Sequence, residues 1–97
     1  AGGTGEPTSV RIALNDSLGM STGKAAAQAA HALFAWVLEG EPRDVDKWRG
    51  DGCGLSVERL GTAEFRRQAR EANGPVIHDA GRTEITPGSA TAFVKIG

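Results

Sequence analysis

The sequence holds a single cysteine, Cys53, no tyrosine, and only 5% aromatic residues in 97 positions. One cysteine closes no internal disulfide and cannot complete a four-cysteine zinc site, so a reducing, cytoplasmic setting is the default expectation. A chain without tyrosine offers little surface on which bases could stack, so an RNA partner would be met through shape and backbone. An excess of one charge is missing too: eleven Lys and Arg against twelve Asp and Glu leave a net charge of −1. Nucleic-acid binding through bulk charge is thereby excluded, and any RNA contact must be local. The longest apolar run, Ala25 to Leu38, is alanine-rich, is interrupted by Gln28 and His31, and falls short of the ~20 residues that cross a bilayer.

What remains is a composition with 39% hydrophobic and 24% charged residues, that of one folded domain. Residues 1–9 are expected to form a flexible leader and residues 10–97 the domain. Val10 to Leu14 alternates apolar and polar residues and stops at Asn15-Asp16-Ser17, the pattern of a strand entering a turn. Ser21 or Thr22 can cap a helix that runs to Leu38 and ends near Gly40; apolar nearly all round, it is expected to lie against a sheet, with Phe34, Trp36, Val37 and Leu38 bulking out its second half. A short helix is expected around Asp44 to Trp48 and a strand through Leu55, Val57 and Leu60. Thr62 is expected to cap a second amphipathic helix over 63–72, with Phe65, Ala69 and Ala72 inward and Arg66, Arg67 and Arg70 outward. Val76-Ile77 opens a third strand, and Thr91 to Ile96 makes a fourth after a turn at Thr86-Pro87-Gly88-Ser89. The order β-α-(α)-β-α-β-β predicts a single small α/β domain, a four-stranded mixed β-sheet flanked by helices.

Two clusters could carry chemistry. Lys24, Gln28 and His31 fall at i, i+4 and i+7 and are expected to share one stripe of the first helix. A lysine in the first turn opposes the helix dipole, so it is either simply solvated or faces an anionic partner beyond the helix end. The second cluster, Asp79-Ala80-Gly81-Arg82-Thr83, directly follows strand three, where ligand crevices form in α/β sheets. Its alternative reading is an Asx turn with Arg82 paired to Asp79. The segment Gly19-Met-Ser-Thr-Gly-Lys24 is one residue short of a phosphate-binding loop, which excludes nucleotide hydrolysis. Cys53 lies between two glycines with no cationic neighbour in sequence, Trp36 and Trp48 are packing residues, and His31 is read as support for the site.

The stretches Leu18 to Ala32 and Asp79 to Thr91 closely resemble the two signatures of the type-2 peptidyl-tRNA hydrolases, approximately DLGMGKGKxAAQxxHA and DAGRTxIxPGSxT. Met20, Gly23, Lys24, Ala26, Ala27, Gln28, His31 and Ala32 match the first, and every fixed position of the second is matched. The departures are Ser21-Thr22 in place of a glycine-lysine pair, an altered turn at Asp16-Ser17, and a shortened middle between Glu39 and Leu60. The resemblance implies hydrolysis of the ester between a peptide and the 3′-terminal ribose of tRNA, with no metal or organic cofactor, peptidyl-tRNA as partner, and a homodimer common in the family. It implies Lys24, Asp79, Thr83 and Thr91 as catalytic residues, and Met20, Gly23, Gln28, His31, Arg82, Gly88 and Ser89 as substrate- or RNA-binding. Arg66, Arg67 and Arg70 are further cations for RNA. Alternatives are a catalytically lapsed RNA- or protein-binding module, or a hydrolase or transferase acting on another acyl-linked substrate.

Overall fold

A computed structural model describes residues 7–78 and 90–97. Its elements are β1 (Ser9–Asn15), a 3-10 turn (Asp16–Leu18), α1 (Thr22–Glu39), α2 (Pro42–Gly50), β2 (Gly54–Leu60), α3 (Thr62–Ala69), β3 (Val76–His78) and β4 (Ala90–Ile96). The four strands form one mixed sheet in the order β2-β1-β4-β3. Of the strand pairs, β1 and β2 run parallel, while β4 is antiparallel to both β1 and β3. The α/β class and the four-stranded mixed sheet expected from the sequence are thus those observed.

The period-two alternation of β1 sorts its side chains between the two faces. Val10, Ile12 and Leu14 join Ala25, Ala32 and Trp36 of α1 and Val45 and Trp48 of α2 in the larger core cluster. Ala13 faces the other way, into a smaller cluster with Phe65 of α3 and Phe93 of β4, whose rings lie 5.1 Å apart. Small residues at the contact let α1 approach the sheet closely, and Ala32 is completely buried. Trp36 and Trp48 meet edge to face at 5.3 Å, and the Trp48 indole N–H donates to the Gly54 carbonyl at 2.8 Å. Both tryptophans are packing residues, as expected.

Gln28 meets Thr91 at the start of β4, whereas Trp36 lines a cleft with Ile96 and Gly97 at its end. The helix therefore runs in the same direction as β4. Its first turn lies at the end of the sheet where β3 finishes and β4 begins. No helix among the described residues is long and apolar enough to cross a membrane.

Several expectations need correction. Phe34 and Leu38 are 62% and 66% exposed and Val37 is 38% exposed, so Trp36 alone of that group is buried. At about 100° per residue, the inward stripe of Ala25, Gln28, Ala32 and Trp36 turns Phe34 to the opposite side, where no other element among the described residues covers it. Leu55 and Val57 lie in a strand as expected, but β2 is an edge strand and both are about half exposed. Gly61, not Thr62, is the N-cap of α3, which ends at Ala69 and not at 72; Ala69 and Ala72 still pack behind Phe65. The strand β1 begins at Ser9. The Thr8 amide donates to the Asp51 carboxylate at 2.8 Å, and Ser9 exchanges backbone hydrogen bonds with Gly97.

Candidate functional site

The entry to α1 is built by short polar side chains. After β1, Asn15 caps the 3-10 turn: its side-chain oxygen accepts from the Ser17 amide at 3.2 Å and from the Ser17 hydroxyl at 2.5 Å. Gly19 then reverses the chain with φ of 65°, a left-handed conformation that costs other L-residues about 1 kcal/mol or more. Met20 drops into the core at 5% exposure. Ser21 caps α1, its hydroxyl accepting from the Lys24 amide at 3.1 Å. Lys24 sits in a first turn that carries no acidic residue, and it is half-buried.

One turn further on, Gln28 is buried, and so is Thr91, which has no exposed surface. The Thr91 hydroxyl lies 2.6 Å from Gln28 Oε1 and 3.3 Å from the Ile77 carbonyl oxygen of β3. Its single proton goes to the nearer acceptor, Gln28. The buried amide oxygen and the buried hydroxyl thus satisfy each other, which joins α1 to β4 at this point. Lys24, Gln28 and His31 lie along one stripe of the continuous helix, as expected, but their exposure is graded: Gln28 is buried, Lys24 is intermediate, and His31 is exposed. Gly23 is exposed in the first turn of α1. Asp79, Arg82, Thr83, Gly88 and Ser89 lie outside the described residues. His78 and Ala90, the residues that flank that segment, are register partners at this same end of the sheet.

Arg59 was missed in the sequence reading. It is the β2 partner of Leu14 in the parallel register, and so stands on the α1 side of the sheet. Its guanidinium donates from Nε to the Asp16 carboxylate at 2.8 Å and from Nη2 to the Met20 carbonyl at 3.3 Å. The available signal was the alternation Leu55, Val57, Arg59, which sets the arginine on the apolar face of β2; its partner strand could not be read from the sequence.

Two clefts differ in electrostatic character. One of about 560 Å³ lies at the far end of α1 and is lined by Glu39, Glu41 and Asp44, carboxylates that repel a polyanion. One of about 280 Å³ opens at the end of β1, between the 3-10 turn and α3, with Asn15, Ser17, Thr62 and Arg66 in its wall. Only the second is at the end of the sheet where α1 begins. On the outer face of α3, Arg67 pairs with Glu64, which holds the Glu64 carboxyl below and the Arg67 guanidinium above their ordinary ranges.

The family model described as "Peptidyl-tRNA hydrolase PTH2" matches residues 8–96. The chain is 39% identical over 102 residues to a protein named peptidyl-tRNA hydrolase in Aeropyrum pernix, an alignment covering 92% of this chain and 82% of that one. It is 37% identical over 88 residues to the protein of the same name in Halobacterium salinarum, covering 84% and 79%. Similarity to the Methanocaldococcus jannaschii peptidyl-tRNA hydrolase is 34% over 95 residues, covering 89% and 82%.

Proposed function

The chain belongs to the PTH2 family of peptidyl-tRNA hydrolases, and from that premise we propose that it cleaves the ester joining a peptide to the terminal ribose of tRNA. Water is the only co-reactant this needs. Its oxygen adds to the ester carbonyl carbon, the bond from that carbon to the ribose oxygen breaks, one of the water's protons passes through a base to the departing ribose oxygen, and the other leaves as the new carboxylic acid ionises. Asp79 is the base or the group that orients it. The Lys24 ammonium stabilises the oxyanion or holds the 3′-terminal phosphate, and the Thr83 hydroxyl positions water. Gly23, exposed in the first turn, forms the approach to Lys24 with Met20 packed beneath it, while Arg82, Gly88 and Ser89, with the exposed His31 of α1, meet the RNA end.

The observation that supports this reading best is the contact of Gln28 with Thr91. It sets the first turn of α1, with Lys24, at the end of the sheet to which residues 79–89 are attached. Thr91 serves the reaction through Gln28, as part of the frame for Lys24. The substrate arises in translation, which puts the activity in the cytoplasm. A homodimer formed over the exposed Phe34, Val37 and Leu38 of α1 fits the same reading. The decisive experiment follows release of free tRNA from purified peptidyl-tRNA. Turnover by the wild type that is lost in Lys24→Ala and Asp79→Asn supports the assignment, and an inactive wild type refutes it.

A further inference from the structure

We infer that Arg59 is a positioning residue for the Lys24 site: it clasps the β1–α1 connection at both ends and so fixes where α1 begins. This rests on the peptidyl-tRNA hydrolase reading above. Asp16 opens the connection and Met20 closes it, immediately before the capping Ser21, and one guanidinium reaches both. Between them stands Gly19, whose left-handed backbone has no neighbour within 4 Å of the position a β-carbon would take. Among the described residues nothing packs on Gly19 itself, while Met20 in the core and Leu18 packed against it hold the bend from either side. The clasp adds a directional polar tie from the bend to β2, beside the Asn15 cap, which acts on Ser17.

Side-chain exposure of 43% for Arg59 and 54% for Asp16 makes the ion pair a weak contributor to global stability. Its consequence is geometric. The planar fork addresses two acceptors in fixed relative positions, something a lysine ammonium at the end of a flexible stem does not reproduce. Met20 and Lys24 are one turn apart, so displacement of the Met20 carbonyl is passed directly to the helix start and the lysine on it.

The test combines kinetics with amide hydrogen exchange on Arg59→Gln, Arg59→Lys and Asp16→Asn. Arg59→Gln is expected to lower kcat on peptidyl-tRNA by on the order of ten- to a hundredfold with KM changed less than about twofold, the pattern of misplaced groups on a bound substrate. Arg59→Lys is expected to recover only part of this. Amides of Gly19 to Lys24 should exchange faster in both, while those of Ile12 and Val94 in the core stay as in the wild type. Asp16→Asn should lower kcat less than Arg59→Gln, because the contact to Met20 survives. Unchanged exchange at 19–24, or an unchanged kcat in a wild-type-active background, overturns the positioning role. An inactive wild type overturns the functional reading instead, and local loosening seen in that case supports the clasp alone.

Discussion

The Thr91 hydroxyl donates to Gln28 Oε1 at 2.6 Å across 63 positions of sequence, in a part of the molecule closed to water. Thr91 compensates the buried Gln28 oxygen, whereas the Thr91 hydroxyl has a second acceptor in the Ile77 carbonyl. Thr91→Val, nearly isosteric, is expected to destabilise the fold by about 1–3 kcal/mol, the cost of an unpaired buried amide. Gln28→Leu should cost less, because the hydroxyl can turn to Ile77. The double variant should cost clearly less than the two single values together, since neither polar group is then left unpaired. Urea denaturation of the four proteins measures this, and strictly additive losses would show that the pair is not coupled.

Lys24 makes the opposite prediction, because its side chain is half-exposed and the helix it stands on is anchored elsewhere. Lys24→Ala should leave the melting temperature nearly unchanged and lower kcat by on the order of a hundredfold or more, the usual scale for a lost oxyanion contact. Lys24→Arg should keep substrate binding better than turnover, since the charge remains but its position shifts. Comparing KM and kcat across the pair separates phosphate holding, which moves KM, from oxyanion stabilisation, which moves kcat.

How far the sequence carried depends on what each signal measures. The ends of α1 were legible because capping is local: Ser21 accepts from the Lys24 amide as its type and position predict, and the helix stops one residue before Gly40. The order of elements along the chain and the fold class were legible from alternation and from the run of elements. The faces of α1 were not. A helix apolar nearly all round does not say how many neighbours will cover it, and Phe34 and Leu38 are left outside because one sheet covers only one side. Gln28, grouped with Lys24 by spacing, turns inward because Thr91, far along the chain, supplies the partner that makes its burial tolerable. Arg59 was illegible for the same reason: its role depends on the parallel pairing of β2 with β1. Of the second signature, Asp79 to Thr91, the residues up to Ser89 lie outside the described ones.

Gly74 offers a steric test of the sheet's far end. A β-carbon there would lie 2.9 Å from Cβ and 3.0 Å from the carbonyl oxygen of Val94, itself completely buried. The Gly74 amide also donates to that carbonyl at 3.1 Å, so the segment cannot move away without losing the bond. Gly74→Ala is expected to cost about 1–3 kcal/mol by overpacking. In Gly23→Ala the new methyl meets nothing within 4 Å and alanine suits a helix, so no loss is expected. Thermal melts of the two variants test the contrast.

Acid sensitivity should centre on Asp51. Its carboxyl is held below the ordinary range, chiefly by the hydrogen bond from the Lys47 ammonium at 2.7 Å and then by the Thr8 amide at 2.8 Å. Because the folded value is depressed, the unfolded state takes up the proton first as pH falls. Asp51 thus contributes its full stabilisation above the ordinary carboxylate range and loses it as pH drops through the lower, folded value. Glu64, lowered first by Arg67 and then by Gln68, behaves the same way. Asp51 is exposed and Glu64 partly so, so each effect is small, but they act at different places: Asp51 ties the start of β1 to the end of α2, and Glu64 acts within α3 alone. Asp51→Asn should therefore flatten the acid limb of a stability profile taken from neutral pH to about pH 2 and speed exchange of the Thr8 amide at neutral pH. Glu64→Gln should flatten the limb without touching Thr8. If Asp51→Asn leaves the acid limb as steep as in the wild type, the carboxylate is not what loosens this end of the sheet in acid.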